Sequence, residues 1–219
     1  MTFFKRVLFV LLGITLILMV TACTIVPIDP DAGDGPAGSA VAQAVDVESY
    51  LDENWEPYIL PEINDRRVDI TTIIQTANAG NWDDAGEAYG EIRGDIGASY
   101  TFIAYGTAIV RETNTESRNG FIVVEIEGQE SYEIRISIGP ALSGTAIRDA
   151  IRFIDFNHFV NQVDFASLAT ELNRLGNERA LQNADIFSID GETIEFTGAF
   201  VAPNGDDVIS IMPIFLEVN

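Results

Sequence analysis

The sequence predicts an α+β protein: a five-stranded antiparallel barrel with a helical insert between its third and fourth strands and a helical segment ahead of the first. Three observations carry this reading. The apolar spacing changes from three and four residues to two near Tyr100, as it does where helices give way to half-buried strands. Five alternating stretches then follow in the order strand–strand–strand, helices, strand–strand, which is the order of the OB-fold. The first of them, Tyr100–Val110, is long and contains Gly106, which suits a strand that bulges or bends around a barrel corner.

Ahead of the fold, Lys5 and Arg6 precede a nearly unbroken apolar run, Val7–Val20, and then Val20-Thr21-Ala22-Cys23. A positive flank, a short apolar stretch and a small-residue site read as a signal peptide over residues 1–22. The cysteine turns that site into a lipobox, in which the thiol carries diacylglycerol. The run falls short of the ~20 apolar residues that a spanning helix needs. Cys23 is the only cysteine, so packing alone is expected to hold the mature chain, even in an oxidising compartment. The expected location is the outer, periplasmic face of a bacterial cell membrane, with the lipid on Cys23 as anchor.

Residues 24–45 are rich in Pro, Gly, Ala and Asp without apolar period and read as a flexible tether. Asp29, Asp31 and Asp34 suggest a calcium loop, but Gly33 and Ala40 occupy ligand positions, so the EF-hand pattern fails. Residues 46–98 form the N-terminal helical segment. Val47, Tyr50, Leu51 and Trp55 share one helical face, and Pro57 and Pro61 are expected to end or kink that helix. Ile70, Ile73, Ile74 and Ala77 make a second stripe closed by Gly80, and Asp83–Tyr89 a third short helix. Trp55 and Trp82, among apolar neighbours, read as core rather than as sugar-stacking platforms.

Residues 99–219 form the barrel and its insert. After the first strand, Asn119-Gly120 supplies a turn dipeptide. Phe121–Glu127 and Tyr132–Ile138 alternate as the second and third strands, and Gly139-Pro140 breaks the sheet. Ala146, Ile147, Ala150, Ile151 and Ile154 form one helical stripe. Phe165, Leu168, Ala169, Leu172 and Leu175 form another, with Asp164 as its N-cap. Glu192–Val201 and Val208–Val218 close the barrel around an Asn204-Gly205 turn, and Pro213 confines the last strand to an edge or a bulge.

Composition excludes several functions. Twelve Lys and Arg against 34 Asp and Glu give a net charge of −22, a surface that repels phosphate backbones, so nucleic acid is not an expected partner. Anionic headgroups are repelled too, which leaves the lipid as the strong membrane contact. His158 is the only histidine, so the usual metal sets are missing and no metal or cofactor is expected. The glycine spacing matches no phosphate loop, and no catalytic motif stands out.

The densest polar cluster among aromatics comprises Thr145, Arg148, Asp149, Asn157, His158, Asn161 and Gln162. Arg148 and Asp149, adjacent in a helix, are expected to diverge. Asn157 with Asn161, and His158 with Gln162, fall at the spacing of one helical face. Such groups serve either as a structural network that satisfies irregular backbone or as the polar lining of a sugar site.

Gly144-Thr145-x-x-Arg148-Asp149, then Phe156-x-x-Phe159-x-Asn161-Gln162, with Gly86–Gly90 upstream and the terminal Ile211-Met212-Pro213, resembles a domain-of-unknown-function family. Its members are predicted periplasmic lipoproteins, often encoded beside sugar ABC transporters. The resemblance implies no assigned activity or catalytic residues, and it suggests a sugar ABC transporter component or a small solute as partner. The leading expectation is a non-enzymatic binding or accessory module. An envelope assembly protein that recognises other proteins is the alternative, and a hydrolase using Asp149, Asp155 or His158 comes last.

Overall fold

A computed structural model describes residues 46–94, 98–182, 184–205 and 207–219; the expected signal peptide, Cys23 and the expected tether lie outside the described residues. Helix α1 (Val47–Asn54) starts at Asp46, whose carboxylate accepts the Glu48 N–H. It runs through a π-helical turn (Trp55–Ile59) into α2 (Leu60–Arg66). Leu51, Trp55, Ile59 and Ile63 are all buried. A strict four-residue spacing outpaces the 3.6-residue turn of an α-helix, and one wider turn in the middle keeps all four on one face. Pro57 falls inside that turn, so the expected kink takes the form of a π-bulge. Pro61 follows in the first turn of α2, directly after the π turn.

Strand β1 (Val68–Asp69) leads into α3 (Ile70–Ala79), with the Asp69 carboxylate accepting the Thr71 N–H at 2.7 Å. Helix α4 (Trp82–Tyr89), capped by Asn81, leads into β2 (Glu91–Ile92). The barrel strands are β3 (Tyr100–Asn114), β4 (Phe121–Glu125), β5 (Glu133–Ser137), β6 (Thr193–Val201) and β7 (Val208–Val218). Their pairings close the ring β3–β4–β5–β7–β6–β3.

The expectation of a purely antiparallel sheet is corrected: β5 and β7 are parallel, from Glu133 opposite Val208 to Ile136 opposite Ile211. A closed ring with an odd number of strands cannot alternate direction at every junction, so one junction must be parallel. A parallel junction in turn needs a long crossover, which the helical insert and β6 together supply. Outside the ring, β1 adds parallel to β3 and β2 adds antiparallel to it.

Gly106 makes neither bulge nor bend, because it pairs in register with Phe196. A Cβ there would lie 2.9 Å from Cγ2 of Ile70, so the glycine serves the close approach of α3. The bulge in β3 falls further on, where Val110 opposite Val124 is followed by Glu112 opposite Val123. At Pro213 the sequence reading holds. The β6–β7 register shifts there, between Thr197 opposite Phe215 and Gly198 opposite Pro213.

Two cores share the barrel wall. Phe102, Ala104, Ile122, Ile134, Ile136, Phe196, Phe200 and Ile211 pack together with α3. Ile103, Ala199, Met212 and Ile214, one pleat over, are covered by α1, α2 and the insert. Trp55 belongs to the second core, while Trp82 packs edge-on against Tyr132 and Phe200 beside the first. The insert comprises α5 (Ala146–Ala150), a 3₁₀ turn (Phe156–His158) and α6 (Gln162–Leu181). Asn161, not Asp164, caps α6: its Oδ1 accepts the N–H groups of Val163 and Asp164 at 2.8 and 3.0 Å. Gly176 lets α6 lie directly on β7, since a Cβ would meet the Pro213 carbonyl at 2.8 Å.

Candidate functional site

The polar cluster read from the sequence does not converge on one point. Arg148 and Asp149 do not diverge: the guanidinium bonds the neighbouring carboxylate at 2.7 and 2.8 Å. It is turned back because it also donates to the Phe165 carbonyl at 3.1 Å and stacks 3.9 Å from that residue's ring centroid. A five-residue helix, which ends at Ala150, leaves room for this. Asn157 and Asn161 do not share a helical face, because the 3₁₀ turn ends at His158 and extended backbone intervenes. Asn157 donates to Asp155, Asn161 caps α6, and His158 and Gln162 are exposed.

Asp149 and Asp155 line one shallow cleft of about 400 Å³ with Arg93 and Phe165. Each carboxylate is already engaged. The Asn157 backbone N–H, at 2.8 Å, holds the Asp155 carboxyl below the usual range, with further lowering from the Asn157 side chain, His158 and Arg93.

The residue that organises this segment is Arg93, which sequence reading passed over. Its guanidinium donates to the carbonyls of Asp149 at 3.0 Å, Arg152 at 3.2 Å, Ile151 and Ile154. Beside it, Arg66 bonds Glu62, Glu91 and the Ala150 carbonyl, and Arg152 bonds Glu91. These bonds tie α2 and β2 to the stretch after α5. Backbone carbonyls that no helix or strand employs must find donors elsewhere. Their donors lie more than fifty positions away in sequence, so no local pattern announces them.

A better-formed site lies on the outward face of β4, β5 and β7. Phe121, Arg135, Ser137, Val208 and Ser210 alternate with core residues along these strands and form the floor of a cleft of about 510 Å³. Ser117 and Asn119 from the β3–β4 turn and Ser143, Gly144 and Thr145 from the loop after β5 form its rim. Of the predicted cluster, Thr145 alone faces this cleft. The Arg135 guanidinium stacks 4.5 Å from the Phe121 ring centroid and pairs with Glu133.

Main-chain bonds lock the two rims together. Ile138 and Gly139 both donate to the Gly120 carbonyl, at 2.9 and 3.0 Å, and Ala141 donates to the Arg118 carbonyl at 3.0 Å. A Cβ on Gly139 would sit 2.3 Å from the Arg118 oxygen, so only glycine permits this approach. Gly120 serves the same contact rather than a left-handed turn. The alternation in Tyr132–Ile138 marked Arg135 and Ser137 as outward, but the meeting of three strands and two connecting segments left no trace in the sequence. Among the described residues, no group of acidic, histidine or cysteine side chains is arranged to hold a metal ion.

A family model described as predicted periplasmic lipoprotein (DUF2291) matches residues 13–217. Among solved structures, the chain is similar to the crystal structure of an OB-fold protein from Thermotoga maritima. The identity is 18%, the match covers 81% of this chain and 100% of that one, and the TM-score is 0.62. No curated protein matches. The fold is thus α+β and OB-like, and neither match points to catalysis.

Proposed function

The chain belongs to the family of predicted periplasmic lipoproteins, and from that premise we propose a lipid-anchored binding module for a small polar solute such as a sugar. The cleft over β4, β5 and β7 carries the proposal. In barrels of this topology the face of the second and third strands, with the loop between the first two, is where ligands bind. Here that face is lined by four serine hydroxyls, a threonine, an asparagine, one arginine and an aromatic ring. Paired donors and acceptors of this kind match a polyhydroxylated ligand, and the cleft has the volume of a small-molecule site. A net charge of −22 disfavours a nucleic acid on the same face. The tether and lipid would keep such a module beside a membrane transporter.

The test is a thermal-shift screen of the full processed chain in detergent micelles against sugars and related metabolites. A ligand at about 100 times its Kd stabilises the fold by ~2.7 kcal/mol. Ser210→Phe fills the cleft from an exposed position and should abolish the shift without lowering the ligand-free melting temperature. A shift that survives Ser210→Phe, or the absence of any hit, would count against the proposal.

A further inference from the structure

Helix α6 presents Asn173 and Asn177, one turn apart, towards the loop after β5. Asn173 donates through Nδ2 to the Gly144 carbonyl at 3.0 Å, and its Oδ1 has no partner. Asn177 is 9% exposed, and its Oδ1 is likewise buried without a partner. A buried amide oxygen without a donor lowers stability and calls for an explanation. Unlike Asn173, Asn177 borders open space. With Ile138, Pro140, Leu142 and Arg174 it lines a second cleft, of about 530 Å³.

This cleft is distinct from the first. Ala141 and Ser143 face the first cleft, whereas Pro140 and Leu142 face the second, so one strip of loop separates them. The second wall is largely apolar. Arg174 on its rim is engaged by Glu171 at 2.6 Å and Glu178 at 2.7 Å, which leaves the Asn177 amide as the polar group of the lining without a bonded partner.

We propose that the second cleft binds a small carboxamide or peptide-like ligand bearing an aliphatic group, with Asn177 as the recognition residue. A primary amide offers an N–H to Oδ1 and a carbonyl to Nδ2, two parallel bonds from one pair of groups. Rotating the asparagine amide by half a turn exchanges donor and acceptor, and an amide ligand matches either arrangement. The aliphatic part packs on Ile138, Pro140 and Leu142. A carboxylate ligand would bring negative charge against an acceptor and the rim carboxylates, so the ligand is neutral.

The probe is 4-methylpentanamide, with methyl 4-methylpentanoate as a control of similar shape that lacks the N–H. Thermal melts use the full processed chain in micelles. The amide should raise the melting temperature saturably, and the ester should bind about fivefold more weakly or worse. Asn177→Leu should melt no lower than wild type and lose the amide response; if that variant does not fold, Asn177→Ala carries the same readout. Ser210→Phe, in the first cleft, should leave the response intact. The proposal is overturned if wild type shows no saturable response below roughly 50 mM or if the ester matches the amide. It is equally overturned if the response survives both Asn177 variants or disappears in Ser210→Phe.

Discussion

Arg93→Met removes a guanidinium from the carbonyls of Asp149, Ile151, Arg152 and Ile154 while keeping most of the side-chain stem. Ile151 and Ile154 are fully buried, and the segment between them is neither helix nor strand. A hydrogen bond from a charged donor contributes ~1.5–3 kcal/mol, and a buried acceptor left alone costs ~1–3 kcal/mol. The Arg152 carbonyl belongs to an exposed residue and can turn to water, so three carbonyls carry the loss. Partial relaxation of the segment brings the total to about 3–5 kcal/mol. In a chain of this size each kcal/mol is worth ~2–4 °C, so melting should fall by roughly 6–20 °C. Circular dichroism melts supported by urea titration measure this. Arg93→Lys should recover less than half, because an ammonium cannot span several carbonyls at once. A loss below about 1 kcal/mol in Arg93→Met would refute the clamp and leave the segment held by Arg66 and its own side chains.

Arg148→Ala should cost ~2–4 kcal/mol, from its bonds to Asp149 and the Phe165 carbonyl and from its ring contact; an unchanged urea midpoint would move Arg148 to the list of ligand-binding groups. Asn161→Ala should cost about 1 kcal/mol through loss of the α6 cap, and a neutral result would show that α6 does not depend on it. The Asp155 carboxyl should titrate below a free aspartate in a carbon-13 NMR titration, because the Asn157 N–H favours its charged form. Its stabilising contribution is therefore full above the ordinary aspartate range and is lost as pH falls through the lowered value; a midpoint at or above the ordinary value would remove it. Cys23→Ala should abolish incorporation of a palmitate analogue, and unchanged labelling would overturn the lipoprotein assignment.

The barrel was legible because each strand turns one face to a core and the other towards solvent or the helices, so alternation survived. Val208–Val218 was read with the bounds it has. Strand β3 runs on to Asn114, past the point where exposed polar residues erase the pattern. What spacing could not reveal was the direction of β5 relative to β7, which follows from the parity of the ring rather than from any residue. Gly106 was read as a bulge or bend and Gly139 as a sheet breaker, but both are needed for close contacts with partners distant in sequence, Ile70 and Arg118. The polar cluster stood out because polar residues gather there in sequence. The residue that holds it, Arg93, is a lone cation in an unremarkable stretch, and its partners are carbonyls, which every residue carries.

The closed ring also sets an order of assembly. Strand β7, last of the barrel strands along the chain, lies between β5 and β6. Its parallel partner β5 precedes it by seventy-five positions, as Glu133 opposite Val208 shows. Until β7 arrives, β5 keeps an unpaired edge and the inner core has an open side, a state prone to pair with other chains. Contacts of such sequence separation form slowly because the loop must close before they stabilise anything. The meander β3–β4–β5 and the N-terminal helices can therefore gather early, whereas both clefts, which border the loop after β5, take shape only once the ring has shut. Folding and the shaping of both clefts become a single late event, so a chain stalled before β7 would present aggregation-prone edges and neither cleft.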